Sequence, residues 1–395
     1  MTVSRDNIFP TYAPPKLEFE RGEGPWLFAT DGSKYLDFIA GISVTALGHA
    51  HPKLVDALKN QAEKIWHLSN MFDVPGQAAL AKRYCELTFA DRVFFTNSGT
   101  EAIECALKAA RRYHSDRGDE ERINIIGFAG AFHGRSYGAI NAAANPNYLK
   151  GFGPKLPGYE QLPFGDHEAL KAAMNDKVAA VIIEPVQGEG GLRPLPTECL
   201  TGLRALCDEH GALLIYDEVQ CGAGRTGKLF AHEWADNAQP DIMAVAKGVG
   251  GGFPLGMCLA TEAVGTGMVV GTHGTTYGGN PLAVAVGHAV LDEISQPEFL
   301  ASVEARAKTL RAGLEDLKAK HHNRIMEVRG KGLLTGFKAA IPAVNIRNAA
   351  RDRGLLVGTA GDNTVRLAPP LIITDSDIAH ALECLDAAVG EAADA

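Results

Sequence analysis

The run Ala212-Leu-Leu-Ile-Tyr-Asp-Glu-Val-Gln220 decides the fold. Five uncharged, mostly apolar residues end in an acidic pair, and a stretch this short and this apolar reads as a strand buried on both faces. Similar runs flank it. Arg92-Val-Phe-Phe-Thr96, Ile123-Asn-Ile-Ile126 and Val178-Ala-Ala-Val-Ile-Ile183 come before it; Asp241-Ile-Met-Ala-Val245 and Met257-Cys-Leu-Ala260 come after it. Helical patterns separate these runs, and that alternation between Arg92 and Ala260 predicts an α/β unit on a mostly parallel sheet covered by helices.

Beyond Pro281 the pattern changes to a long helical stretch reaching about His321. Short strands around Ile325–Val328 and Gly332–Lys338 and a closing helix near Asp375–Ala388 follow, which reads as a smaller α+β domain. The first fifty residues contain Pro10, Pro14, Pro15 and Pro25 and a turn signal at Asp31-Gly32, so they read as an arm with one hairpin. We therefore expect an N-terminal arm or small-domain segment over 1–50, a large domain over 51–280 and a small C-terminal domain over 281–395.

The chain has 395 residues, enough for about two or three domains. Its 46% hydrophobic and 22% charged residues are those of an ordinary globular protein. A net charge of −9 opposes broad attraction to nucleic acid or to an anionic membrane, which leaves small-molecule chemistry. Met1–Pro10 carries no apolar core of signal-peptide length, and no uncharged apolar run reaches the roughly 18 residues of a spanning helix. A cytoplasmic address is the expectation. Seven cysteines, an odd number without CxxC pairing, suit reduced structural thiols better than a disulfide framework or a zinc site, and no metal is expected.

Three places could carry chemistry. Asn97-Ser-Gly-Thr-Glu101 follows one strand and opens a helix, with Ser98 and Glu101 in capping-box spacing. Such a turn aims free N–H groups and the positive end of the helix dipole at an anion, typically a phosphate, although any helix start shares the pattern. Asp217 and Glu218 stand where the decisive strand ends, the edge at which ligands sit in open α/β sheets. A buried acid there needs a cation; a protonated pyridine nitrogen and an ordinary ion pair both satisfy that need. Lys247 closes the apolar run Ala244-Val-Ala, where burial would depress its pKa as Schiff-base chemistry requires, unless the side chain snorkels out.

Gly222-Ala-Gly-Arg-Thr-Gly-Lys228 imitates two phosphate signatures. As a P-loop it fails at Leu229, where Ser or Thr should bind Mg²⁺. As GxGxxG it starts too late after its strand, and Lys228 to Pro240 makes a poor crossover helix.

Taken together, Asn97–Glu101, Phe132-His-Gly-Arg135, Glu184-Pro-Val-Gln-Gly-Glu189, Asp217-Glu-Val-Gln220, Ala246-Lys-Gly248, Thr275-Thr-Tyr-Gly-Gly-Asn-Pro281 and Arg366-Leu-Ala-Pro-Pro370 resemble the class III, ornithine-type aminotransferases over nearly the whole chain. The resemblance implies pyridoxal 5'-phosphate as cofactor and fold type I, a large domain with a mostly parallel sheet of the seven-stranded kind plus a smaller C-terminal domain. Lys247 would hold the cofactor as a Schiff base and shuttle the proton. Asp217 would keep the pyridine nitrogen protonated, Gln220 would bond the ring hydroxyl, and Phe132 and Val219 would sandwich the ring. Ser98, Gly99 and Thr100 would bind the phosphate, joined by Thr275 and Thr276 from a neighbouring subunit, so a homodimer is implied.

For substrates, Arg366 would grip the carboxylate of glutamate or 2-oxoglutarate, Glu189 would mask or release it, and Arg135 would anchor the donor's α-carboxylate. Within the family the likeness is strongest to members that use N2-acetylornithine as amino donor in arginine synthesis, cycling by a ping-pong route through pyridoxamine phosphate. Ile42 stands where ornithine-specific members place a Tyr, and an apolar side chain suits an acylated amine better than a bare ammonium. Thr45 departs from the Asn common at its position. Rival readings are a 4-aminobutyrate, succinylornithine or acetyl-lysine aminotransferase, a non-catalytic binding module of the same fold, and a dinucleotide oxidoreductase. The presence of Lys247, Asp217 and Arg366 speaks against a dead site.

Overall fold

The apolar runs become the strands of one seven-stranded sheet. The computed structural model describes residues 6–393; the outer ends of the expected first and last segments, 1–5 and 394–395, lie outside them. In chain order the strands are β1 (Arg92–Thr96), β2 (Asn124–Phe128), β3 (Tyr159–Leu162), β4 (Val178–Ile183), β5 (Leu213–Asp217), β6 (Ile242–Val245) and β7 (Gly256–Ala260). They lie side by side as β1-β7-β6-β5-β4-β2-β3. Only β7 runs against its neighbours β6 and β1; the other pairings are parallel. Every residue of β4 and of β5 is buried, as a parallel sheet covered on both faces requires. The edge strand β3 went unforeseen, because Tyr-Glu-Gln-Leu is short and half polar.

Helix α1 (Gly99–Ser115) covers one face of the sheet with Ala102, Ile103, Cys105, Ala106, Leu107, Ala109 and Ala110, a stripe of mostly small side chains that allows a close approach. The expected single helical stretch beyond Pro281 is two helices, α2 (Pro281–Ile294) and α3 (Pro297–Lys320). Pro297 begins the second at a position where its missing N–H costs nothing. Ala283, Val284, Val290 and Leu291 of α2 pack into the large core, so the change of unit falls near Ser295 and not at 281.

The C-terminal unit contains a second sheet, with Ile325–Lys331, Leu334–Ala339, Thr364–Leu367 and Gly358–Ala360 side by side and antiparallel. Helices α3 and Asp375–Glu391 pack against it. The N-terminal stretch packs with the C-terminal unit. Phe19–Glu23, Trp26–Ala29 and Lys34–Asp37 form an antiparallel meander whose last strand pairs in parallel with Leu355–Leu356. The predicted turn at Asp31-Gly32 is there, with Gly32 at φ 87°. Leu36 and Phe38 are fully buried in the C-terminal core, which ties the two ends of the chain into one unit.

Because Leu214 lies in β5 with no exposure, packed in the large core, Leu214→Ala is expected to destabilise the fold by about 2–5 kcal/mol. A lowered urea midpoint and melting temperature would register it.

Candidate active site

Strands β1, β2, β4, β5 and β6 all point the same way, so the segments leaving their C-terminal ends meet along one edge of the sheet. There they enclose a cavity of about 340 Å³, lined by Ser98, Gly99 and Thr100 after β1, Phe132 and His133 after β2, and Glu184 after β4. Asp217, Val219 and Gln220 follow from β5, Lys247 from β6, and Val44 from the N-terminal segment.

Lys247 takes a left-handed backbone, φ 51°, unusual for a side-chain-bearing residue, as the chain turns out of β6 into a short 3-10 turn. Burial pulls its amine below the ordinary lysine value, while the carboxylates of Glu189 and then Asp217 oppose the drop. The free-base fraction at neutral pH rises accordingly, as a nucleophilic amine requires.

Asp217 is buried at the end of β5. Its Oδ2 lies 2.8 Å from Nδ1 of His133, whose side chain is fully buried, and its Oδ1 accepts from the Val219 amide at 3.0 Å. The His133 ring and the Val219 amide therefore orient the carboxylate at the wall of the cavity that Lys247 also lines. The sequence reading gave His133 no role; a lone histidine between Phe132 and Gly134 carries no signal. It also passed over Glu184, although the signal that marked Asp217, an acid closing a wholly apolar strand, was present. Glu184 accepts from the Phe132 amide at 3.1 Å, and burial, reinforced by the charge of Asp217, holds its carboxyl well above the usual range.

The helix start is built as expected. Ser98 caps α1 by accepting from the Glu101 amide at 3.3 Å. Glu101 returns not to Ser98 but to the Asn97 amide, at 2.6 Å. Thr100 Oγ1 accepts from the Arg135 amide at 3.1 Å, which leaves its hydroxyl hydrogen for another acceptor. A Cβ on Gly99 would come within 2.6 Å of Val219 Cγ1, so only glycine lets the helix start sit this close to the cavity wall. Gln220 is buried, and its Oε1 has no hydrogen-bond partner among the described residues.

The remaining expected residues stand outside this lining. Arg366 is buried on its strand and ion-paired with Glu189, as expected. Arg135 is exposed, its guanidinium 3.9 Å from the Tyr148 ring centre and 5.3 Å from that of Phe132. Ile42 is 42% exposed and sits with Gly41 and Ser43 in consecutive left-handed conformations. Thr275 and Thr276 border a separate recess that shares Asn97 and Thr100 with the cavity but excludes Lys247, and Thr275 Oγ1 accepts from the Gly278 amide at 3.0 Å.

The profile of the family described as Aminotransferase class-III matches residues 9–389. The chain belongs to that family. It is 56% identical over 388 residues to acetylornithine aminotransferase 2 of Caulobacter vibrioides, covering 98% of this chain and 96% of that one. To the acetylornithine aminotransferase of Agrobacterium fabrum it is 57% identical over 381 residues, covering 96% and 95%. Among solved structures, N-acetylornithine aminotransferase from Stenotrophomonas maltophilia K279a superposes with a TM-score of 0.84 at 39% identity, covering 96% of this chain and 97% of that one. The ornithine aminotransferase of Toxoplasma gondii ME49 gives 0.93 at 30% identity, covering 98% and 93%.

Class-III aminotransferases work with pyridoxal phosphate, and this site fits it. The helix start offers N–H groups to a phosphate, Lys247 a desolvated amine to an aldehyde and Asp217 an oriented anion to a pyridinium. The unpartnered Gln220 Oε1 offers a polar contact to a ring substituent.

Beside Asp217, Glu218 is fully buried, accepts from the Ala231 amide at 2.5 Å, and is pushed by burial from near 4.5 up to about 8. Since the folded value lies above the unfolded one, this carboxyl costs no stability below about pH 4.5, and its cost grows until pH passes about 8. Glu218→Gln should therefore gain stability relative to wild type across that window, by a few kcal/mol at most, in melts compared at pH 5 and pH 8.

Proposed function

We propose that this aminotransferase moves the δ-amino group of N2-acetylornithine to 2-oxoglutarate, yielding the γ-semialdehyde and glutamate, as a step of arginine biosynthesis. The observation that carries the choice of donor is the identity of 53–57% over nearly the full chain to relatives named for that substrate. An apolar, half-exposed Ile42 supports it, since an acylated amine needs no polar partner where a bare ammonium would lose its hydration uncompensated.

When bound, pyridoxal phosphate supplies an electron sink for the C–H bond beside the transferred nitrogen. The protein's own groups supply the rest. Lys247 would hold the cofactor through its amine and would take and return the substrate proton, a task suited to an amine of lowered pKa. Asp217, braced by His133 and the Val219 amide, would pair with the ring nitrogen, and Gln220 would bond the ring hydroxyl. Phe132 and Val219 exclude water from the two ring faces, while Ser98, Gly99 and Thr100 bind the phosphate.

Arg366 and Glu189 manage two substrates of unlike charge. With the pair closed, as here, the guanidinium is neutralised and the site accepts a donor whose carboxylate rests on Arg135. Glutamate or 2-oxoglutarate offers its own carboxylate to Arg366, and Glu189 turns aside. The functional unit is a homodimer, in which Thr275 and Thr276 of each copy complete the phosphate site of the other. Thr276 is exposed here, as are Trp66, Met71, Phe72 and Val270, an apolar surface that a second copy would cover. Seven cysteines free of disulfides and a net charge of −9 support a cytoplasmic setting.

Two measurements test this reading. Lys247→Ala should lose at least about a thousandfold in turnover together with the visible absorption of the bound cofactor, and borohydride should label no other lysine stoichiometrically. In a panel of donors, N2-acetylornithine should exceed ornithine, 4-aminobutyrate, succinylornithine and acetyl-lysine by about tenfold or more in kcat/KM. A preference for 4-aminobutyrate would overturn the assignment of the donor.

A further inference from the structure

The run Gly222–Lys228, which imitates a phosphate loop, lends no residue to the cofactor cavity. Its glycines serve packing: a Cβ on Gly222 would meet the Glu218 carbonyl at 2.7 Å, and Gly224 and Gly227 take left-handed φ of 82° and 93°. What the loop delivers is Arg225, among the largest fully buried side chains in the protein. Burial lowers its guanidinium to about 9, which leaves it cationic at neutral pH, and the carboxylate of Asp37 is the charge that opposes the drop. Asp37 is itself held by the amides of Ile39 and Ala40 and by His49.

The partners of Arg225 belong to the C-terminal unit. Its Nη1 donates to the carbonyls of Leu333, at 3.2 Å, and Pro369. The Leu333 amide returns a bond to the Arg225 carbonyl at 2.9 Å, and a Cβ on Gly332 would lie 2.4 Å from Thr226 Cα, so the two backbones touch. Pro369 follows Arg366 by three residues, in a segment also fastened to the N-terminal loop. The Ala368 amide donates to the Phe38 carbonyl at 2.8 Å and the Leu371 amide to that of Ala46 at 2.7 Å. The backbone that carries Arg366 out of its strand is thus held on one side by the Phe38–Ala46 loop and on the other by one buried cation.

We propose that Arg225 is a positioning residue for substrate selection: its buried guanidinium locks the Leu367–Pro370 backbone to the large unit and so sets the reach of Arg366 toward the Lys247 cavity. The inference rests on the reading of Arg366 as the carboxylate anchor. It predicts an asymmetric defect, because the keto acid depends on Arg366 whereas the donor's carboxylate is assigned to the exposed Arg135. General loosening of the fold would harm both substrates alike.

The test compares Arg225→Met, similar in bulk but without donors, with Arg225→Lys, which keeps a cationic donor, each as holoenzyme. Arg225→Met is expected to raise KM for 2-oxoglutarate and for glutamate about tenfold, with kcat and KM for N2-acetylornithine held within about twofold. Arg225→Lys should recover KM for the keto acid to within about threefold of wild type. An unchanged KM for 2-oxoglutarate, equal rises for both substrates, or a lysine variant as poor as the methionine one would overturn the proposal. If Arg225→Met does not fold, the neutral and shorter Arg225→Gln takes its place and decides by the same asymmetry: a rise confined to 2-oxoglutarate and glutamate supports the proposal, while none, or an equal rise for the donor, overturns it. Arg366→Lys separates the two readings. Should it leave KM for 2-oxoglutarate unaltered, the anchor itself is misassigned; should it raise KM where Arg225→Met does not, only the positioning role fails.

Discussion

A carboxylate buried at the end of an apolar strand is the constraint on which the site depends. An isolated anion in such surroundings is costly enough that it is either protonated or compensated. Asp217 receives partial compensation from the Val219 amide and His133, and both are consequences of the fold: one is the turn leaving β5, the other the segment leaving β2. A carboxylate buried at this edge still creates demand for a cation within its reach. A protonated pyridine ring meets that demand, and the same pairing makes the ring a stronger electron sink. Glu184 and Glu218 show the alternative outcome. Buried close by, both are driven toward the neutral acid chiefly by the loss of hydration.

How much of this was readable in advance follows from the same energetics. Lys247 and Asp217 stood out because charged groups closing apolar runs are expensive and therefore rare by accident. The sheet was legible because strands buried on both faces need unbroken apolar runs, and β4 and β5 supply them. β3 was not, since an edge strand has one partner and can stay half polar. The N-terminal meander was hidden for a related reason: Phe19–Glu23 is mostly charged, and its placement depends on Leu355–Leu356, more than three hundred residues away in sequence. Helix α2 is apolar on most sides, so its pattern announces burial without saying in which core. Arg135, Glu189, Arg366 and the Thr275-Thr276 pair were visible only through the family resemblance, because one arginine or one loop threonine has too many ordinary uses.

The glycine-rich loop after β5 shows how a signature can be right about backbone and wrong about ligand. Glycines at such spacing permit left-handed turns and close backbone approach, and both happen here at Gly224, Gly227 and Gly332. What approaches is another stretch of the same chain. The pattern of residue types reports a geometric need, and whether a phosphate or a neighbouring turn satisfies it is settled only by tertiary structure.

The electrostatics of the substrate side follow from one shared carboxylate. Glu189 neutralises Arg366 and is also the charge that most strongly supports the protonated form of Lys247, while Arg366 acts on that amine in the opposite sense. The closed pair therefore leaves Lys247 governed chiefly by its desolvation. On the proposed assignment, a keto acid bound through Arg366 would substitute its own carboxylate for that of Glu189. The buried guanidinium would then exchange one anionic partner for another instead of being left as an uncompensated cation in the interior. That continuity would let a single cavity serve donors and acceptors of unlike charge.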